Sequence, residues 1–130
     1  MKFEKQSFHH NEADKHLWNP VKNALDGLDG NQRNSVKIAS SDRQNGASRT
    51  VIIYTDDAAP EGTQSELSTT WDYKRFEQMS KDADDAYNDC VSFLNGSTLT
   101  DLQKYYALLS MCDTGDNQFY VFLWFRKVGG

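Results

Sequence analysis

The sequence predicts an α+β domain, with an antiparallel sheet of three to four strands, two helices of the C-terminal half packed on it and a short helical segment near the N-terminus. Three observations carry this expectation. Residues 118–127 contain the unbroken run Phe119, Tyr120, Val121, Phe122, Leu123, Trp124 and Phe125 between polar flanks, the pattern of a strand inside a sheet. Asn45-Gly46 separates two β-rich runs, and this dipeptide supplies the positive φ angles of a tight hairpin turn. Phe76, Met79, Ala83, Tyr87, Cys90 and Leu94 recur at intervals of three and four, the stripe of an amphipathic helix.

Taken in order, residues 1–8 read as a short strand, and Asn11 is placed to cap a helix ending near Asn19. Pro20 opens a further helical stretch over 20–28, with Val21, Leu25 and Leu28 on one face and Gly27 and Gly30 at its exit. The hairpin pairs 35–41 with 49–55. Val51, Ile52, Ile53 and Tyr54 leave no polar alternation, so the returning strand belongs inside the sheet and its partner nearer an edge. Residues 56–66 carry Pro60, Gly62 and no basic side chain, and read as a solvated acidic loop. A long helix over 70–94 follows, capped by Thr69 or Thr70, with Asp82, Asp85 and Asp89 on its outer side and Asn95-Gly96 at its end. Thr100-Asp101-Leu102-Gln103 has the form of a capping box opening a second helix through Tyr105, Leu108, Leu109 and Cys112, stopped by Gly115. The order is then β-α-α-β-β-α-α-β.

Side chains alternate along a strand, so in the last one Phe119, Val121, Leu123 and Phe125 point one way and Tyr120, Phe122 and Trp124 the other. The strand is expected to pair with 49–55 or to lie one strand away, with both rows covered, so that Phe122→Asp unfolds the domain. If the helices of the chain cover only one row, the other is a surface for a partner.

At 38% hydrophobic and 25% charged residues, the chain fits one domain, 1–130, around one core. No apolar run approaches ~18 residues and no apolar stretch follows the first lysines, so the expectation is a soluble, cytoplasmic protein without membrane contact. Cys90 and Cys112 both fall on apolar stripes and read as buried free thiols. The net charge of −5 is unevenly spread. Residues 1–55 hold eight Lys/Arg against six Asp/Glu, whereas residues 56–130 hold six against thirteen. With no basic run longer than two residues, direct nucleic-acid binding is not expected. A basic protein surface is the better complement, because opposite potentials steer encounter.

All three histidines lie within eight residues, and in a helix Glu12 and His16 would share a face four residues apart, with His9 or His10 able to join them. A fourth ligand is missing, so neither a metal nor another cofactor is expected. Ser40, Ser41 and Ser97 sit in turn and cap contexts with no nucleophile elbow, and the glycines are isolated, without a phosphate-cradling pattern. Asp82, Asp84, Asp85 and Asp89 lie among helix formers, unlike the ligands of a calcium loop. The terminal Val128-Gly129-Gly130 resembles the diglycine end of ubiquitin-like modifiers and sulfur carriers over two residues, while the helical reading of 70–112 departs from their β-grasp order.

These patterns favour a small acidic interaction protein over an enzyme. It would inhibit or neutralise a larger, basic protein partner, as toxin-immunity proteins and phage anti-defence inhibitors do, through Asp82, Asp85, Asp89, Asp56, Asp57 and Glu61. Two alternatives stand beside it. One is a small metal-dependent enzyme or ligand-binding domain centred on His9, Glu12 and His16. The other is a self-assembling or homodimeric protein that uses the row of Tyr120, Phe122 and Trp124.

Overall fold

The computed structural model describes residues 1–10, 18–42, 48–78, 84–114 and 118–129. Along the chain it places β1 (Phe3–His10), α1 (Asn19–Asp26), α2 (Gly30–Ser35), β2 (Lys37–Asp42), β3 (Ser48–Thr55), a 3-10 turn (Gln64–Glu66), β4 (Leu67–Gln78), α3 (Asp84–Asn95), α4 (Asp101–Tyr105), β5 (Leu108–Asp113) and β6 (Phe119–Val128). The α+β class and the antiparallel pairing stand. The strands form two three-stranded antiparallel sheets, ordered β1-β3-β2 and β4-β6-β5.

The hairpin reading holds, with Lys37 opposite Ile53 and Ala39 opposite Val51, while its Asn45-Gly46 turn lies outside the described residues. As the apolar run implied, β3 is the middle strand of its sheet and is buried along its whole length. Ile52 and Tyr54 face α1 and α2, packing with Leu28, Ala24, Leu25 and Val36. Val51 and Ile53 face the other way, into the main core. Two capping boxes fix short helices. In α2, Asp29 Oδ1 accepts from the Gln32 backbone N–H at 2.9 Å and Gln32 Oε1 accepts from Asp29 at 3.0 Å. In α4, the box read at Thr100 is present, with Gln103 N–H donating to Thr100 Oγ1 at 3.2 Å and Gln103 Oε1 accepting from Thr100 N–H at 2.9 Å. The helix expected from Asn11 lies mostly outside the described residues, whereas the one beginning near Pro20 is α1.

Three expectations are overturned. The helix read over 70–94 is a strand to Gln78 and a helix only from Asp84. Its stripe is genuine in the second half, where Ala86, Tyr87, Cys90 and Leu94 are buried. In the first half Phe76 enters the core from a strand and residues 71–75 are exposed; Met79 and Ala83 lie outside the described residues. Likewise the helix read from Leu102 to Cys112 stops at Tyr105, and Leu108–Asp113 is β5. The physical reason is shared: β6 is a middle strand and both its edges need backbone partners, which β4 and β5 supply. The third correction follows. Residues 118–127 form the middle of the second sheet and do not neighbour β3, because β2 and β5 stand between them.

One core joins the two sheets. α3 lies across their inner faces, where Tyr87, Cys90 and Leu94 pack with Phe3, Val51 and Ile53 of the first sheet and Phe76, Phe119, Val121 and Leu123 of the second. Asn95, at the end of α3, accepts from Phe3 N–H at 2.6 Å and donates to Phe3 O at 3.1 Å, closing the start of β1. Lys37 joins the sheets where β2 passes β5, its Nζ donating to Tyr105 O at 2.9 Å and Ala107 O at 2.7 Å. No helix among the described residues is long and apolar enough to cross a membrane.

Candidate functional site

The outer face of β4-β6-β5 is built by strand alternation. The register sets Trp71 beside Arg126, Tyr73 beside Trp124 and Leu108, Arg75 beside Phe122 and Ser110, and Glu77 beside Tyr120 and Cys112. On β6 the row of Phe119, Val121 and Leu123 is buried under α3, and the row of Tyr120, Phe122 and Trp124 is left half-buried or exposed. Among the described residues, helices thus cover one row only. The rings form a ladder: Tyr73 lies 5.2 Å from Trp124 and 6.1 Å from Phe122, Phe122 stacks on Trp124 at 5.8 Å, and Tyr120 follows at 6.2 Å. Polar contacts hold the ladder in place. Trp124 Nε1 donates to Ser110 Oγ at 2.8 Å, and the Arg75 guanidinium lies 5.4 Å over the Tyr120 ring. Arg126 donates to Ser68 O at 2.7 Å and Leu67 O at 2.9 Å.

Among the described residues six large apolar side chains are exposed, and four of them, Trp71, Tyr73, Leu108 and Trp124, stand on this face. A fifth, Ile38, borders it across a cleft between β2 and β5, lined also by Val36, Tyr105 and Tyr106. Scattered exposed apolar residues need no explanation, but a contiguous patch marks a contact surface. Sequence reasoning found the β6 row and missed Trp71, Tyr73 and Arg75, which it had placed on a helix. The signal was present in Thr69, Thr70, Trp71 and Tyr73, a β-branched and aromatic cluster that favours a strand.

The acidic residues lie elsewhere. Asp85 and Asp89 are exposed on the solvent side of α3, away from Ala86, Tyr87 and Cys90, and neither meets a cation among the described residues. Asp82 is outside the described residues. Asp84 sits 3.9 Å from Lys5 Nζ and accepts from Ser7 Oγ at 2.9 Å, so α3 begins beside the middle of β1 and ends, at Asn95, beside its start. There Asp57 accepts from Lys2 N–H at 2.9 Å and Asp56 accepts from Gln32 Nε2, both from neutral donors that leave the carboxylate charge uncompensated. Asp85 and Asp89 therefore lie on α3, across the second sheet from the aromatic face, whereas Asp57 is held at the start of β1 and Asp56 is tied to α2. Glu61 is apart from them, exposed in a loop whose Gly62, at φ +106, approaches Leu102 of α4.

The histidine cluster is not assembled by the described residues. His9 and His10 are consecutive on β1 and point to opposite faces, His9 exposed and His10 buried against Trp18 at 4.4 Å. Glu12 and His16 lie outside the described residues, and among those described no group of three possible ligands comes together. Gly129 is packed against the Glu66 backbone, where a Cβ would collide with the Glu66 carbonyl, so it is no free tail.

The cysteines divide. Cys90 is fully buried, and burial pushes its thiol from 9.0 up to about 12, whereas Cys112, read as buried on a helical stripe, is exposed on β5. A thiol reagent at neutral pH should modify one cysteine, Cys112, in dilute native protein and Cys90 only after denaturation, because the thiolate is the reactive form. Two equivalents reacting at the same rate without denaturant would contradict this packing.

Compared with protein-family models, with curated proteins and with solved structures, the chain matches none.

Proposed function

We propose that the chain is a small interaction protein that inhibits or neutralises a larger, basic protein partner, of the toxin-immunity or anti-defence inhibitor type, through the acidic side formed by α3 and the end of β3. The observation that carries this reading is the placement of Asp85 and Asp89 on the solvent side of α3, with Asp57 held at the start of β1 beside the far end of the same helix. Residues four apart on a helix stand one turn apart on one face, so the two α3 carboxylates can meet Lys or Arg side chains of one partner surface without disturbing the buried stripe. A net charge of −5 adds a long-range attraction to that partner. The binding site is therefore Asp85 and Asp89 first, with Asp82, Asp56, Asp57 and Glu61 as further contributors.

The test begins with affinity capture from the native host using the chain as bait, and the association kinetics of the captured protein with Asp85→Asn/Asp89→Asn. The expected result is an association rate lowered several-fold at low salt, a difference that shrinks at physiological salt, and an unchanged melting temperature. A folded variant that associates at the wild-type rate in low salt would sink the acidic-surface reading.

A further inference from the structure

We propose that the outer face of β4-β6-β5 is covered by the same face of a second copy of this chain, in a two-fold dimer that carries its two α3 helices on opposite outer sides.

The charge distribution selects this occupant. Two chains of net charge −5 repel each other, and the copies approach with least repulsion through a surface that carries little of the acidity. The aromatic face is that surface. Its charged residues are Arg75, Arg126 and Glu77, one net positive charge, while the α3 carboxylates lie on the far side of the sheet. A basic partner would meet both arginines here, whereas a second copy packed face to face keeps the two acidic sides turned away from each other.

The face is also self-complementary. An isologous contact places the same patch on both sides of the axis, so each group must find its complement within the patch. Arg75 and Glu77 are neighbours on β4, 3.7 Å apart and both solvent-accessible. With the two β4 strands antiparallel across the axis, Arg75 of each copy faces Glu77 of the other. On that axis Phe122 of each copy faces Tyr120 of the other, with Tyr73 and Trp124 toward the ends of the contact, and aromatic residues dominate the energy of protein interfaces.

Its size is sufficient. Three strands about 4.8 Å apart and a ten-residue β6 rising ~3.3 Å per residue give a face of roughly 15 by 30 Å. Two such faces in full overlap as aligned sheets, ~10 Å between backbones, bury on the order of 1,000 Å² in total, about the least a specific interface needs.

The proposal is independent of the basic-partner reading. Sedimentation velocity and light scattering on the purified chain, over a concentration series, measure the mass directly. The expected result is a shift from 14.8 kDa to twice that mass as concentration rises. Trp124→Ser, checked for its fold by circular dichroism, should weaken dimerisation on the order of tenfold or more. Because that variant could fail to fold, a charge exchange supplies the second arm. Arg75→Glu and Glu77→Arg should each weaken the dimer, and the double variant should restore it. Asp85→Asn/Asp89→Asn should leave the dimer mass unchanged. A chain that stays monomeric at every concentration, a dimer indifferent to a folded Trp124→Ser, or a double exchange that adds the two losses would overturn the proposal. So would a monomer that needs Trp124 to hold a different protein.

Discussion

Val121→Asp is expected to abolish cooperative folding, whereas Phe122→Asp, one residue further along the same strand, should leave a domain that still melts in a single transition. Val121 is fully buried between the second sheet and α3, among Tyr87, Cys90 and Leu123. A carboxylate placed there has no cation to pair with among those apolar neighbours, and an unpaired buried charge costs several kcal/mol, comparable with a stability of about 5–15 kcal/mol for a domain. Phe122 belongs to the opposite row and is half-buried, so Asp at that position keeps access to water. The cost of the second change is the loss of ring contacts with Tyr73 and Trp124, on the order of 1 kcal/mol. Circular dichroism melts of the two variants decide the matter. Equal loss of structure would mean that the outer row is as deeply covered as the inner one, which is what the sequence pattern alone suggested.

That expectation erred for a reason visible in the residues. An apolar run says that both faces of a strand avoid water, and it does not say whether the cover comes from the same chain. In β3 it does, since α1 and α2 sit over Ile52 and Tyr54 while α3 sits over Val51 and Ile53. In β6 the described residues supply cover on one face only. Both middle strands were legible as such because apolar residues on both faces leave a continuous signature, whatever covers them. Their flanking strands were not. In β5, Leu109 and Met111 pack inward while Leu108 and Cys112 face out, and over so short a stretch those residues also satisfy a helical spacing. In β4 only Phe76 is deeply buried between Trp71 and Glu77, so the period-two signal that marks a half-buried strand is nearly silent. Local capping chemistry was more faithful: the Thr100 box depends on residues three apart and survives whatever follows it.

The candidate surfaces were legible as residues and not as places. The acidic positions of α3 could be named because the second half of its helical stripe was correct, and Tyr120, Phe122 and Trp124 because alternation is geometric. That the two sets lie on opposite sides of one sheet needed the tertiary arrangement, in which α3 crosses the inner face. The joint between the sheets was invisible for the same reason. Lys37 falls in a run that reads as an ordinary strand, and nothing near it in sequence announces that its amine reaches carbonyl groups 68 and 70 residues away.

That amine gives the second large effect, a stability that depends on pH in a defined sense. Burial pushes Lys37 from 10.5 down to about 8, with a weaker opposing pull from Cys90. Cys90 is itself driven to its neutral form, so no lysine–thiolate pair forms between the two values. Below pH 8 both the native and the unfolded chain hold the proton, and the native state carries the full cost of a buried ammonium, offset among the described residues by two carbonyl groups and the face of Phe3. Between pH 8 and 10.5 the native state has released the proton and the unfolded state has kept it. The unfolded state then binds more protons, so stability rises with pH across this window. At about 1.4 kcal/mol per pH unit the rise is at most about 3 kcal/mol. Cys90 and Tyr87, both raised by burial, act in the opposite sense, because the unfolded chain ionises first, from about pH 9 for the thiol and 10 for the phenol. Wild-type stability should therefore climb from pH 8 to about 9 and flatten or fall beyond it. Lys37→Met isolates the lysine. It also strands the carbonyls of Tyr105 and Ala107, a constant penalty that shifts the whole curve without changing its slope. Urea unfolding of both proteins from pH 7 to 10 should show the difference between them moving in favour of the wild type as pH rises. A difference that stays flat would mean that the Lys37 amine remains charged and solvated in the folded chain, and that the two sheets are not joined through a buried amine at this position.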